Sequence, residues 1–155
     1  MAEIKKILYA TDFSDLSALA LDYAVYLARQ CGAEMACLYV VDDSYQYWPG
    51  MDVAALPAGP PPDELLAAAE TRMAEFLAAK VSADVEVKGQ VLLGRPFVEI
   101  IRYARSQNAD LIVAGTHGRG ALSHVLMGSV AEKLVRKSPC PVLTVRHPDH
   151  DFKMP

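Results

Sequence analysis

Short apolar runs alternate along this chain with longer stretches of helical spacing. Ile4–Ala10 is the first apolar run and predicts a buried strand. Ser14 or Asp15 then caps a helix whose stripe is Leu16, Leu19, Ala20, Tyr23 and Leu27, with Ala18, Ala24 and Ala28 adding helix propensity and Gly32 as the stop. Glu34–Val41 reads as the second strand. A connection follows from Asp42 to Pro62, carrying Tyr45, Tyr47, Trp48 and the prolines from Pro57 to Pro62. Asp63 caps a second helix to about Val81, with Leu66, Ala69, Met73, Phe76 and Leu77 on its core face. Val85–Leu93 is the third strand, and Pro96 opens a third helix that faces the core with Phe97, Ile100, Ile101 and Ala104 and ends at Asn108. Leu111–Ala114 is the fourth strand, broken at Gly115. A loop of glycines and small polar residues leads to Gly128-Ser129, where Val130, Ala131, Leu134 and Val135 mark a fourth helix. Pro139-Cys140-Pro141 closes it, and Val142–Val145 is the last strand.

This alternation predicts an α/β fold: a doubly wound, five-stranded parallel sheet with helices on both faces. With the first and fourth strands side by side, the order is 3-2-1-4-5 and reverses between them. Ligands of such sheets bind beyond the carboxyl ends of the strands at that reversal. Thr11-Asp12 and Gly115–Gly118 follow those two ends. Residues 1–146 are expected to form one domain and 147–155 a mobile tail.

Composition narrows the partners. The 155 residues are 52% hydrophobic and 22% charged, with a formal net charge of −4. An acidic balance argues against non-specific nucleic-acid binding, which needs a basic face. No apolar run is long enough to span a bilayer, and no signal core follows Met1, so a cytoplasmic protein is expected. Cys31, Cys37 and Cys140 form no CxxC pair and read as buried reduced thiols.

The loop after the fourth strand carries the chemistry. Strand, glycine loop and helix together aim backbone N–H groups at one point, and a phosphate is their usual occupant. No GxxxxGK[ST] pattern is present, so the cationic arm of P-loop phosphoryl transfer is missing. Gly118-Arg-Gly120-Ala-Leu-Ser123 nearly matches a dinucleotide fingerprint, but it follows the wrong strand, ends in serine and has no ribose-binding acid beyond it. Ser123 and Ser129 lack the context of a hydrolase nucleophile.

Gly115-x-x-Gly118, nine residues from Arg119 to Met127, and then Gly128-Ser129 resemble the ATP-binding signature of the universal stress proteins. The likeness runs the length of the chain: Ile7–Ser14 is similar to the family's first strand and loop, Leu38–Asp42 to its second strand, and Ser138–Val145 to its last. Ala10 stands where the family commonly has proline. The resemblance implies ATP, or AMP or ADP, as ligand. Asp12 and the main chain of Val40 would hold adenine and ribose, with Ala10 and Thr11 beside them. Gly115, Thr116, His117, Gly118, Arg119, Gly128, Ser129 and Val130 would surround ribose and phosphates. Mg²⁺ or Mn²⁺ would be held through phosphates and water, without direct protein ligands. The resemblance also implies a homodimer formed through Val142–Val145, serving a regulatory or stress-response role toward a further protein.

His124 reads as solvated, and His147, His150 and Asp151 as tail residues. Alternatives are a slow ATPase or kinase-like enzyme, which lacks a visible general base, a flavin or dinucleotide carrier, and a nucleotide-free dimeric scaffold.

Overall fold

The computed structural model describes residues 3–43, 59–116 and 127–146. Tyr45, Tyr47, Trp48, Pro57, His117, Gly118, Arg119, Gly120, Ser123, His124, His147, His150 and Asp151 lie outside the described residues. The element order is β1 (Lys6–Thr11), α1 (Asp15–Cys31), β2 (Glu34–Asp42), α2 (Pro62–Lys80), β3 (Val87–Gly94), α3 (Pro96–Gln107), β4 (Leu111–Gly115), α4 (Ser129–Lys137) and β5 (Val142–Val145). All four strand pairings are parallel, as the alternation predicts, and the order is β3-β2-β1-β4-β5, as expected with the first and fourth strands side by side.

Side-chain alternation splits the core in two. Ile7, Tyr9, Met35, Cys37 and Val113 point to the face covered by α1 and α2. Leu8, Ala10, Leu38, Val40, Ile112 and Ala114 point to the face covered by α3 and α4. The helices change face when the strand order changes direction, which keeps every crossover in one hand. Leu8, Leu21, Leu38 and Ile112 are at most 1% exposed. Burial of each contributes up to about 1.5–3 kcal/mol against an extended chain.

Helix α1 differs from its predicted stripe. Its buried face is Ser17, Ala20, Leu21, Ala24 and Ala28, whereas Tyr23 is 50% exposed. Tyr9 already fills the space beneath, so the helix meets the sheet through small residues. Helix α2 has Pro61 at its N-cap with no side-chain cap, so Asp63 sits in the first turn instead of capping it. Ala69 and Met73 are buried there, and Met73 lies so near β3 that a Cβ on Gly89 would fall 2.9 Å from its Cγ. Strand β3 starts at Val87, two residues later than expected, after a turn at 82–85 closed by the Val85 amide donating to the Ser82 carbonyl. Phe97 is half-buried between α3 and α4, under the ammonium groups of Lys133 and Lys137. Val135 faces solvent. Among the cysteines only Cys37 is buried; Cys31 is exposed and all three are free thiols. Apolar surroundings push the Cys37 thiol and the Tyr9 phenol well above their ordinary ranges.

Candidate functional site

The carboxyl edge of the sheet opens where its two halves part. The β1–β4 ladder runs to Ala10↔Ala114, so Thr11-Asp12 and Gly115-Thr116 leave the sheet side by side. The β1–β2 ladder ends at Thr11↔Tyr39, leaving the β1-facing side of β2 without a strand partner from Val40 onward. The side chains of Ala10 and Val40 are buried among the α3/α4 core, so only their main chains reach this edge.

The turn from β1 to α1 is closed by its own side chains. Thr11 Oγ1 accepts from the Phe13 amide at 3.0 Å and shares a hydrogen bond with Ser17 Oγ at 2.9 Å. Ser17 Oγ also donates to the Ser14 carbonyl, and Ser14 Oγ accepts from the Ser17 amide at 3.2 Å. Tyr9 donates its phenol proton to the Ser17 carbonyl. Thr11 is thus spent on structure, and its side chain points away from the crevice. Asp12 Oδ1 accepts from the Ser14 amide at 3.0 Å, an Asx turn that fixes how the half-buried carboxylate sits. Phe13 between them has φ 60°, a left-handed conformation that side chains other than glycine's rarely adopt.

On the other side two backbone bonds tie the strand end to the helix start. The Thr116 amide donates to the Val145 carbonyl at 2.9 Å, and the Thr116 carbonyl accepts from the Gly128 amide at 2.6 Å. Thr116 therefore binds the end of β5 and the start of α4 to the end of β4, and the glycine loop leaves and returns at one point. Gly115, Thr116, Gly128, Ser129 and Val130 are gathered by these bonds. Gly118, His117 and Arg119 lie outside the described residues. Gly128 has φ −67°, open to any residue, so a lack of Cβ and not a special dihedral distinguishes it.

The helix N-termini differ in how their first N–H groups are satisfied. Ser14 caps α1. Helices α2 and α3 begin with Pro62 and Pro96, which have no N–H to satisfy. Helix α4 has neither device: Gly128 offers no cap, and no hydrogen bond to the Ser129, Val130 or Ala131 amide occurs among the described residues. These donors, with the positive end of the helix dipole, suit an anion. The opposite edge of the sheet also has a cleft, lined by Lys6, Glu34, Asp84, Lys88 and Tyr103 among others. Helix C-termini meet there and its charges are mixed, so the dipole argument favours the carboxyl edge for an anion.

Some groups were not foreseen from the sequence. One is Phe13. Another is Asp43, which follows β2 and has a buried Oδ1 with no hydrogen-bond partner among the described residues. Nothing in the local spacing marks either. Among the described residues no three His, Cys, Asp or Glu side chains gather as a directly held metal needs. No helix there is long and apolar enough to cross a membrane.

A doubly wound parallel domain with an anion-suited helix start at its strand-order reversal is the class this geometry defines. Comparison with known proteins narrows the class. Residues 3–146 match the universal stress protein family, and the chain belongs to it. Universal stress protein MJ0531 of Methanocaldococcus jannaschii is 37% identical over 146 residues, covering 93% of this chain and 83% of that protein. The solved structure of MJ0577, from the same organism, superposes with a TM-score of 0.77 at 29% identity, covering 94% of this chain and 98% of that one. A universal stress protein solved in complex with cAMP matches at 25% identity and a TM-score of 0.59, covering 93% and 98%.

Proposed function

We propose that the crevice between β1 and β4 binds an adenine nucleotide, ATP or its mono- or diphosphate, and that the protein is a dimeric, nucleotide-responsive regulator. The start of α4, tied to β4 through Thr116 and Gly128 and uncapped among the described residues, is the observation that carries this reading. The amides of Ser129 and Val130, with Gly115, Thr116, His117, Gly118 and Arg119 of the loop, hold phosphates and ribose. Asp12 and the main chain of Val40 take the base and ribose, with the main chain of Ala10 and Thr11 forming the floor. The cAMP complex of a relative is consistent with an adenine ligand here. Mg²⁺ or Mn²⁺ enters with the phosphates.

The dimer forms through β5. Both outer strands are edges, but β3 carries Lys88, while Val142-Leu143-Thr144-Val145 has no charge to discourage pairing. Residues 147–155 act as a tail beyond it. The sequence lacks the P-loop lysine, so turnover is expected far below the common enzyme value of about 10 per second.

Calorimetry on protein stripped by denaturation and refolding tests the binding: millimolar ATP or AMP should saturate it, and flat titrations overturn the proposal. Mass spectrometry of nucleotide released from untreated protein identifies the ligand. Sedimentation at micromolar concentration should give a dimer, and a monomer there removes the β5 interface.

A further inference from the structure

We infer that Phe13 is a positioning residue for the Asp12 carboxylate, held by Arg72 and Phe76 of α2, so that α2 takes part in recognising the nucleoside. This rests on the nucleotide-binding reading above. Phe13 has φ 60°, which is costly for an aromatic residue and persists only where the surroundings enforce it. The surroundings are visible. Its ring lies 4.6 Å from the Tyr39 ring and 5.3 Å, edge to face, from the Phe76 ring. Arg72 covers it with its guanidinium carbon 4.8 Å from the ring centre. On the backbone side the Phe13 amide is bound to Thr11 Oγ1.

The left-handed residue reverses the chain between Asp12 and Ser14. That reversal brings the Ser14 amide back to Asp12 Oδ1 and fixes the carboxylate's rotation. Packing of one ring is thus converted into the direction of one charge. Tyr39 comes from β2 and Phe76 and Arg72 from α2, so these elements share in setting it. A ring that merely filled the core would not need the strained backbone.

The test compares ATP affinity in Phe13→Ala, Phe13→Gly and Phe13→Tyr, each alone and with Asp12→Ala, with melting temperatures on the same samples. Phe13→Ala and Phe13→Gly should each lose affinity about tenfold, the equivalent of one misplaced hydrogen bond to a charged group. Glycine tolerates the dihedral but has no ring, so its loss assigns the effect to the ring. Phe13→Tyr should bind like the parent. In the Asp12→Ala background, removing the ring should cost no further affinity, because no carboxylate is left to aim. Arg72→Met, an exposed change that leaves the fold intact, should lose roughly threefold by removing the cation over the ring. Parent protein that binds no nucleotide ends both the proposed function and this inference. Parent binding with unchanged affinity in Phe13→Gly, or equal losses with and without Asp12, ends this inference alone.

Discussion

Helices α1 and α4 both start at the carboxyl edge of the sheet, one after β1 and the other after β4, and they start differently. At α1 the chain satisfies itself: Thr11, Ser14 and Ser17 use their hydroxyls on one another and on the backbone, and Asp12 folds back on the Ser14 amide. At α4 the chain holds the helix start in place through Thr116 and Gly128, and among the described residues no side chain bonds the first amides. A closed turn is rigid and spends its polar groups internally. An open one is rigid in position yet leaves donors for a ligand. The contrast sets a self-bonded turn, from which the Asp12 carboxylate is proposed to reach the nucleoside, against a helix start whose amides are proposed to reach the phosphates, within one crevice.

Substituting Gly128 should have the largest effect. Gly128→Asp gives α4 the cap that α1 already has and puts a carboxylate where phosphate is proposed to sit. Loss of one or two charge-assisted bonds, at roughly 1.5–3 kcal/mol each, lowers ATP affinity about tenfold to several-hundredfold. Stability without ligand should rise by a few tenths of a kcal/mol or stay level, because aspartate caps slightly better than glycine. Titration calorimetry and thermal melts on the same protein check both halves. A stable Gly128→Asp that binds ATP normally would remove α4 as the phosphate site.

Ser17→Ala attacks the closed end. It deletes the hydroxyl shared with Thr11 and Ser14 in a site only 3% exposed, and should cost about 1–3 kcal/mol. Chemical denaturation measures this, while ATP affinity per folded molecule should hardly change.

Alkali sharpens the same contrast. Tyr9, bonded to Ser17, and Cys37 have folded-state pKa values raised by burial. Their neutral forms are favoured by folding, so this stability is complete below the unfolded pKa values, near 9 for Cys37 and 10 for Tyr9. Above those values each group removes up to about 1.4 kcal/mol per pH unit. Melting temperature should fall from about pH 9 upward, less steeply in Cys37→Ala, and a flat profile to pH 11 would contradict it.

The smallest effect belongs to Ser14→Ala. Opening α1 should cost about 1 kcal/mol, or roughly 2–4 °C in melting temperature, with no new anion affinity. Phosphate binding gained by this variant would show that any uncapped helix here suffices.

Much of this scaffold was legible because its signals are local. Ser14 and Gly32 bound α1 as read, with Gly32 at φ 61°, and Pro96 and Asn108 bound α3. The strand order followed once the first and fourth strands were set side by side, a placement that alternation alone does not fix. The face of α1 was not legible, because periodicity weighs large apolar residues whereas close packing over Tyr9 selects Ser17, Ala20, Ala24 and Ala28. Tyr23 fitted the spacing and lies outside. The glycines announced a loop, but that α4 lacks both serine cap and proline shows only when four helix starts are compared. A left-handed Phe13 has no sequence signature, since its conformation is imposed by Tyr39, Phe76 and Arg72 from distant parts of the chain.

The pairing of β1 with β4 also bears on how the chain is made. The Asp110 carboxylate that receives the Lys5 amide is 105 residues downstream. Translation at about 5–20 residues per second leaves β1 waiting on the order of 5–20 s for that partner. During the wait β1 can pair with β2, but its other side, with Ile7, Leu8 and Tyr9, is an open edge. The nascent chain is therefore most prone to self-association on the ribosome, before Leu111–Gly115 emerges, and a message truncated there yields a chain bound for aggregation or a chaperone.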